Sequence, residues 1–159
     1  MKITAETTLQ APASAAWAVL GERFGEIAEW TTSLDSSHLE GELGVGAARV
    51  CAGPPWGPFP GGTMKEELRH FDRERRQLVY AATEGLPWFV RDASNRWTVD
   101  ALDGERCRVR GDADVRLVRW LAPLGWLLSL AMRQPIRAIL VELEAAVAAE
   151  AARASATTS

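Results

Sequence analysis

Glu66, His70 and Tyr80 are the side chains whose types and positions best suit proton transfer in this chain. Glu66 and His70 stand four residues apart in the alternating run from Met64 to Phe71. On a regular strand that spacing puts a carboxylate and an imidazole on one face, as a general acid/base pair requires. Tyr80, in the next alternating run, adds a phenol. No catalytic motif joins them: GxSxG, HExxH, Walker-type and dinucleotide glycine patterns are absent from the sequence, and the glycine run from Gly41 to Gly46 (GELGVG) lacks the strand-to-helix setting of a phosphate loop. Cys51 and Cys107 lie far apart, outside any CxxC, among small or apolar neighbours, so buried inert thiols fit them better than a metal pair or a nucleophile. His38 and His70 have no ligand spacing either, and the residues call for no metal and no cofactor.

These groups need a sheet to position them, and the sequence is patterned for one. Alternation of apolar or small residues with charged ones predicts strands at residues 2–9, 36–42, 47–52, 64–71, 77–83, 89–99 and from near 106 to 115. The last is the clearest, with Cys107, Val109, Gly111, Ala113 and Val115 on one parity and Arg108, Arg110, Asp112 and Asp114 on the other. Asp103-Gly104 is the hairpin signal before it. Between the first two strands, Pro12 and Ser14 open a short helix through Trp17 and Leu20 that Gly21 ends, and a second short helix covers about 23–29. Beyond Val115 the spacing turns helical: Ile136, Ile139, Leu140, Leu143 and Val147 form one stripe of a long terminal helix, which Pro135 should kink. The stretch from Gly53 to Gly62 (GPPWGPFPGG) is a loop bearing Trp56 and Phe59, either a lid or docking tip or a segment packed back on the end of the sheet.

A curved sheet against one helix encloses a space, and the less charged parity of each strand names its lining. The apolar members include Met64, Leu68, Trp97 and Val109, faced by Leu130, Ile136 and Leu140 of the helical region. Four polar members, Glu66, Tyr80, Arg91 and Asn95, need partners, because an unpaired buried polar group costs about 1–3 kcal/mol. Either they orient a ligand in an apolar cavity, or they satisfy one another, as in a Glu66–Arg91 ion pair. Gly111 and Ala113 favour the cavity by leaving volume that Trp97 need not fill. Among the seven tryptophans, Trp30, Trp88, Trp120 and Trp126 sit at element ends, where a cavity mouth would be.

The 159 residues suit one domain, taken as 1–153 with a disordered tail at 154–159, and a chain of that size buries roughly 70% of its unfolded surface. A net charge of −3 with interleaved signs gives no footprint for nucleic acid. The N-terminus lacks the apolar core of a signal peptide, and together with the isolated cysteines this makes a reducing cytoplasm the expected compartment. The most apolar stretch, Trp120 to Met132, is too short to span a bilayer, which takes about 20 residues, and Pro123 and Gly125 interrupt it. Residues 120–132 could instead touch a membrane surface, a partner or a second copy in a homodimer.

The order of a strand, two short helices, six strands and a long C-terminal helix resembles the START and pollen-allergen-like superfamily (SRPBCC), nearest its polyketide cyclase/dehydrase-like branch. The pieces that carry the resemblance are APASAAWAVLGERFGEIAEW (Ala11 to Trp30), LEGELGVGAARV (Leu39 to Val50), EELRHFDRERRQLVYAATEGLP (Glu66 to Pro87) and NRWTV (Asn95 to Val99). The resemblance implies an α+β helix-grip fold, in which a seven-stranded curved antiparallel sheet wraps a long C-terminal helix around a cavity for a lipid, polyketide, aromatic or quinone-like molecule. It transfers no activity, because fold and function are separable. Three functions stay open: binding or transport of a small hydrophobic ligand, a cyclase or dehydratase using Glu66, His70 or Tyr80, and a membrane-surface or protein-interaction module.

Overall fold

A computed structural model describes residues 1–55 and 61–157 of the chain, so the expectation for Trp56 and Phe59 lies outside the described residues. Seven strands form one antiparallel sheet: β1 (Lys2–Leu9), β2 (Ser36–Glu40), β3 (Ala48–Gly53), β4 (Gly62–Asp72), β5 (Gln77–Glu84), β6 (Val90–Ala101) and β7 (Cys107–Leu117). Their order is β1-β7-β6-β5-β4-β3-β2. Between β1 and β2 the chain makes α1 (Ala13–Trp17), a π-helical turn (Ala18–Glu22) and a 3₁₀ segment (Phe24–Glu29). After β7 come a 3₁₀ turn (Ala122–Leu124), α2 (Gly125–Ala131) and α3 (Arg133–Thr157). This is the helix-grip arrangement that the alternation and the terminal helical stripe predict.

Local chemistry sets the joints. Pro12, extended at φ −65° and ψ 149°, stands at the N-cap of α1, where its missing N–H costs nothing. The Asp103 carboxylate accepts the backbone N–H groups of Glu105 and Arg106 and so closes the β6–β7 hairpin. In the terminal segment the break falls at Met132, between α2 and α3, while Pro135 lies in the first turn of α3. Proline cannot return an N–H to the carbonyl four residues back, so the helix is interrupted one turn ahead of the proline rather than at it. Where the sequence suggested an unstructured tail from 154, α3 continues to Thr157.

Two of the three register shifts among the described residues of the sheet correct the face assignments. In β4 against β5, Leu68 pairs with Tyr80 but His70 pairs with Val79, so Arg69 is an extra residue and His70 turns to the outer face. In β6 against β7, Val90 pairs with Leu117 and Asp92 with Arg116, leaving Arg91 as the extra residue, exposed on the surface. Each bulge shifts parity by one, and strict alternation therefore misplaces the residue beyond it.

Burial along the inward face is graded. At one end Leu9, Val99, Cys107, Val109, Leu68 and Leu78 are fully buried, and they meet Leu143 and Val147 of α3 and Trp17 and Phe24 of the connecting helices. Further along the same strands, on the same parity, Ile3 and Ala5 of β1, Ala82 of β5, Ala93 of β6, and Ala113 and Val115 of β7 are only half-buried. Small and apolar side chains that face the helix are thus left partly bare. α3 is held down at its middle and toward its C-terminal end: Thr31 donates to the Glu142 carboxylate at 2.6 Å, Thr32 also donates to it, and Arg23 pairs with Glu150 at 2.9 Å. Packing therefore closes the concave face at one end and leaves it half-buried at the other, the open end.

One glycine permits a close contact within the packed end. A side chain at Gly21 would put its Cβ 2.5 Å from the Trp17 ring, which is itself buried against Phe71 at a 5.4 Å ring separation. Gly21→Ala is therefore expected to lower unfolding free energy by about 1–3 kcal/mol in urea titration. Gly104→Ala, at a turn where nothing lies within 4 Å of the new carbon, should change it by less than about 0.5 kcal/mol.

Candidate functional site

The polar centre of the concave face is built on Arg49, a residue the alternation did not single out. Arg49 shares parity with Cys51 on β3 and with Ala47 just before it, and has only 4% of its surface exposed. Its Nε donates to the Glu66 carboxylate at 2.9 Å across the β3–β4 pair, its Nη2 donates to the same oxygen, and its Nη1 donates to the Phe24 carbonyl at 3.0 Å. The guanidinium lies 4.1 Å from the centre of the Phe24 ring and 4.8 Å from that of Tyr80. Glu66 therefore finds its partner on the neighbouring strand, not in Arg91, which the β6 bulge carries away.

Burial alone would pull the Arg49 guanidinium down, but the Glu66 carboxylate outweighs it and holds Arg49 charged, above its ordinary value. Burial pushes the Cys51 thiol up to about 11 despite the opposing pull of Arg49. The Tyr80 phenol is likewise raised, by burial first and by the Glu66 charge second. The centre thus holds one fixed ion pair and two groups that keep their protons at neutral pH.

Tyr80 continues this network. Its hydroxyl accepts the Asn95 side-chain N–H at 3.1 Å and the Trp97 indole N–H at 3.5 Å. The side-chain oxygen of Asn95 is buried with no hydrogen-bond partner among the described residues. An orphaned acceptor in that position is what a ligand donor or a water would satisfy. Trp97 sits over Gly111, where a Cβ would come 3.1 Å from its ring. The volume expected to be spare at Gly111 is therefore taken by the indole, while Ala93, Ala113 and Val115 further along are only half-buried.

The remaining residues divide by location. Leu68 and Val109 are packed core, Met64 and Ile136 are half-buried, and Leu140 packs against the core from α3. Trp30 packs on the core, its indole N–H is buried without a partner among the described residues, and it lines a groove of about 340 Å³ with Glu29, Glu142 and Ala146. Trp88, Trp126 and Leu130 are exposed, and Trp126 lines a groove of about 230 Å³ with Met1, Leu117 and Gly125. Glu66, Tyr80, Asn95 and Trp97 come together, while Arg91 and His70 do not join them. The signal that could have found Arg49 is its parity: it stands between Ala47 and Cys51 on the strand beside Glu66.

A protein-family model described as "Polyketide cyclase / dehydrase and lipid transport" matches residues 1–152. No curated protein matches. Among solved structures, the chain is similar to norcoclaurine synthase from Thalictrum flavum, a point mutant in complex with a transition-state analogue, at a TM-score of 0.71 and 19% identity over 92% of this chain and 93% of that one. It is similar to the ZhuI aromatase/cyclase of a Streptomyces species, at a TM-score of 0.71 and 22% identity over 96% and 94% of the two chains. It is similar to Ara h 8.0201, at a TM-score of 0.74 and 14% identity over 94% and 98%. At these identities the likeness is one of fold.

Two measurements check the site. Arg49→Met leaves the half-desolvated Glu66 carboxylate without its counter-charge and should cost about 3–5 kcal/mol in urea titration, whereas Arg49→Met with Glu66→Leu recovers most of it. Cys51 and Tyr80 hold their protons more tightly folded than unfolded, so unfolding releases protons and stability falls as pH rises. The urea midpoint should therefore drop between neutral pH and about pH 10, and Cys51 should react with iodoacetamide on the order of 100-fold more slowly in the folded protein than after unfolding.

Proposed function

The chain belongs to the polyketide cyclase / dehydrase and lipid transport family, and from that premise we propose that it binds a small, largely apolar molecule on the concave face of its sheet, under the N-terminal half of α3. The observation that carries this reading is the graded burial. Ala82, Ala93, Ala113 and Val115 face the helix yet stay half-exposed, on the same strands whose other ends are fully packed. A protein folding only for stability would fill that space, because bare apolar surface forgoes about 25 cal/mol per Å².

The chemistry of the floor defines the guest. Its walls are alanine, valine and the Trp97 indole, which suit a flat or aliphatic body. The free acceptor on Asn95 suits a hydroxyl or N–H donor at one end of that body. The buried ion pair is internally satisfied, so the guest needs no charge of its own.

Binding is favoured over proton transfer by the same geometry. Glu66 is committed to Arg49, His70 is on the outer face, and Tyr80 keeps its proton while its oxygen already accepts two N–H groups. The aromatase/cyclase and norcoclaurine synthase neighbours carry their names on the same fold, but here His70 stands apart from Glu66 and Tyr80, and those two are engaged with Arg49, Asn95 and Trp97.

Titration with an apolar fluorescent probe, with native mass spectrometry of the gently purified protein, tests the proposal. Uptake of one probe per chain is expected. Ala93→Trp should fill the hollow and abolish uptake without lowering the melting temperature. Asn95→Leu should weaken a hydroxyl-bearing ligand about fivefold, the equivalent of one hydrogen bond, and leave the corresponding hydrocarbon unaffected. Uptake that persists unchanged in Ala93→Trp, or no uptake from a panel of lipids, polyketides, aromatics and quinones, would overturn it.

A further inference from the structure

We propose that the open end of the domain carries a docking surface for an anionic lipid bilayer. Trp88, Trp120 and Trp126 are 73%, 67% and 67% exposed. Trp88 and Trp120 stack on each other with ring centres 5.7 Å apart, across a backbone joint in which the Val118 N–H donates to the Phe89 carbonyl at 2.9 Å. On α2, Leu127 and Leu130 are half-exposed beside Trp126. Single exposed apolar residues are ordinary, but three indoles and a leucine face gathered at one end of a domain form a patch.

Charge identifies what covers it. Between Asp114 and Glu142 the sequence contains four arginines and no acidic residue, in a chain whose net charge is −3. Arg119, Arg133 and Arg137 are exposed, and no ion pair engages them among the described residues. Trp126, Leu130, Arg133 and Arg137 follow one another at spacings of four, three and four residues, which keeps them on one helical stripe. Hydrogen bonds from the Met132 N–H to Leu128 and from the Ile136 N–H to Met132 carry the helix across the break between α2 and α3. Indoles beside arginines match the interfacial layer of a bilayer, where tryptophan sits at the headgroups and cations meet anionic lipid.

A second copy of the chain is a poorer occupant. A two-fold contact through this patch sets like charges against like, since the same arginines arrive from both sides. No helix among the described residues is long and apolar enough to cross a membrane, so the contact is peripheral, with the patch lying in the headgroup region.

Flotation with vesicles tests this. The protein should float with phosphatidylcholine vesicles containing phosphatidylserine, stay behind with phosphatidylcholine alone, and be released by salt. Arg133→Gln and Arg137→Gln should each lower partitioning about fivefold. Trp120→Ser combined with Trp126→Ser should abolish it, with no change in melting temperature because both indoles are exposed. Partitioning indifferent to phosphatidylserine or to these substitutions would overturn the proposal. So would a dimer in sedimentation velocity that Trp126→Ser dissociates, which would make the patch an interface between copies. Probe uptake measured without lipid reads the hollow separately, so each proposal can fail without the other.

Discussion

A buried guanidinium cannot be left to solvent, and the arrangement of half the domain follows from satisfying Arg49. Its donors reach Glu66 on the adjacent strand and the Phe24 carbonyl on the 3₁₀ segment, and its faces lie against the rings of Phe24 and Tyr80. Those contacts tie β3, β4, β5 and the helical connection to one point. Desolvating two charges is expensive, so the pair holds only if its geometry is good and its spare valences are met. Here the carboxylate takes two of the donors and a backbone carbonyl takes a third. The cluster specifies how the connection sits on the sheet more than it adds to stability, and a sheet with apolar residues at these positions would lack that directional constraint.

The same cluster marks the border between the packed and the unpacked parts of the interior. On its packed side, leucines, valines and Cys107 interdigitate with Leu143 and Val147. On the other side Ile3, Ala5, Ala82, Ala93, Ala113 and Val115 stay half-buried. The helix is fixed through Glu142 on Thr31 and Thr32 and through Glu150 on Arg23. Glu142 is held below the usual carboxylate range by the hydroxyl donors of Thr31 and Thr32, so this attachment is fully in place at neutral pH.

Much of this was legible in the residues. Alternation located all seven strands, Asp103-Gly104 located a hairpin, and the stripe through Leu143 and Val147 located the helix and the face it buries. What escaped was whatever a single inserted residue decides. By alternation Arg69 reads as an outward residue and Arg91 as an inward one, but as bulges they turn His70 and Arg91 out of the interior, and they leave no mark on composition. Arg49 escaped for the opposite reason: arginine on a strand is usually solvated, and its parity with Ala47 and Cys51 was the one sign that it faces inward, where Glu66 needs a partner. Gly111 was read as vacancy, although a glycine facing a tryptophan across a strand pair is as readily a seat for the ring.

The sheet has two terminal strands, and their composition decides whether such a molecule survives at high concentration. β1 presents Lys2 and Glu6 on its outer face, the latter paired with Arg108 at 3.4 Å, and it runs into Pro12 soon after its last residue. β2 is only five residues long, carries His38 and Glu40 outward, and ends at Gly41, whose φ of 87° turns the chain out of the ladder. Charge, brevity and a sharp exit are the standard defences of an exposed ladder against recruiting another chain. A domain with a greasy surface at one end has all the more need of them, because they confine self-association to that surface and close off growth into fibrils.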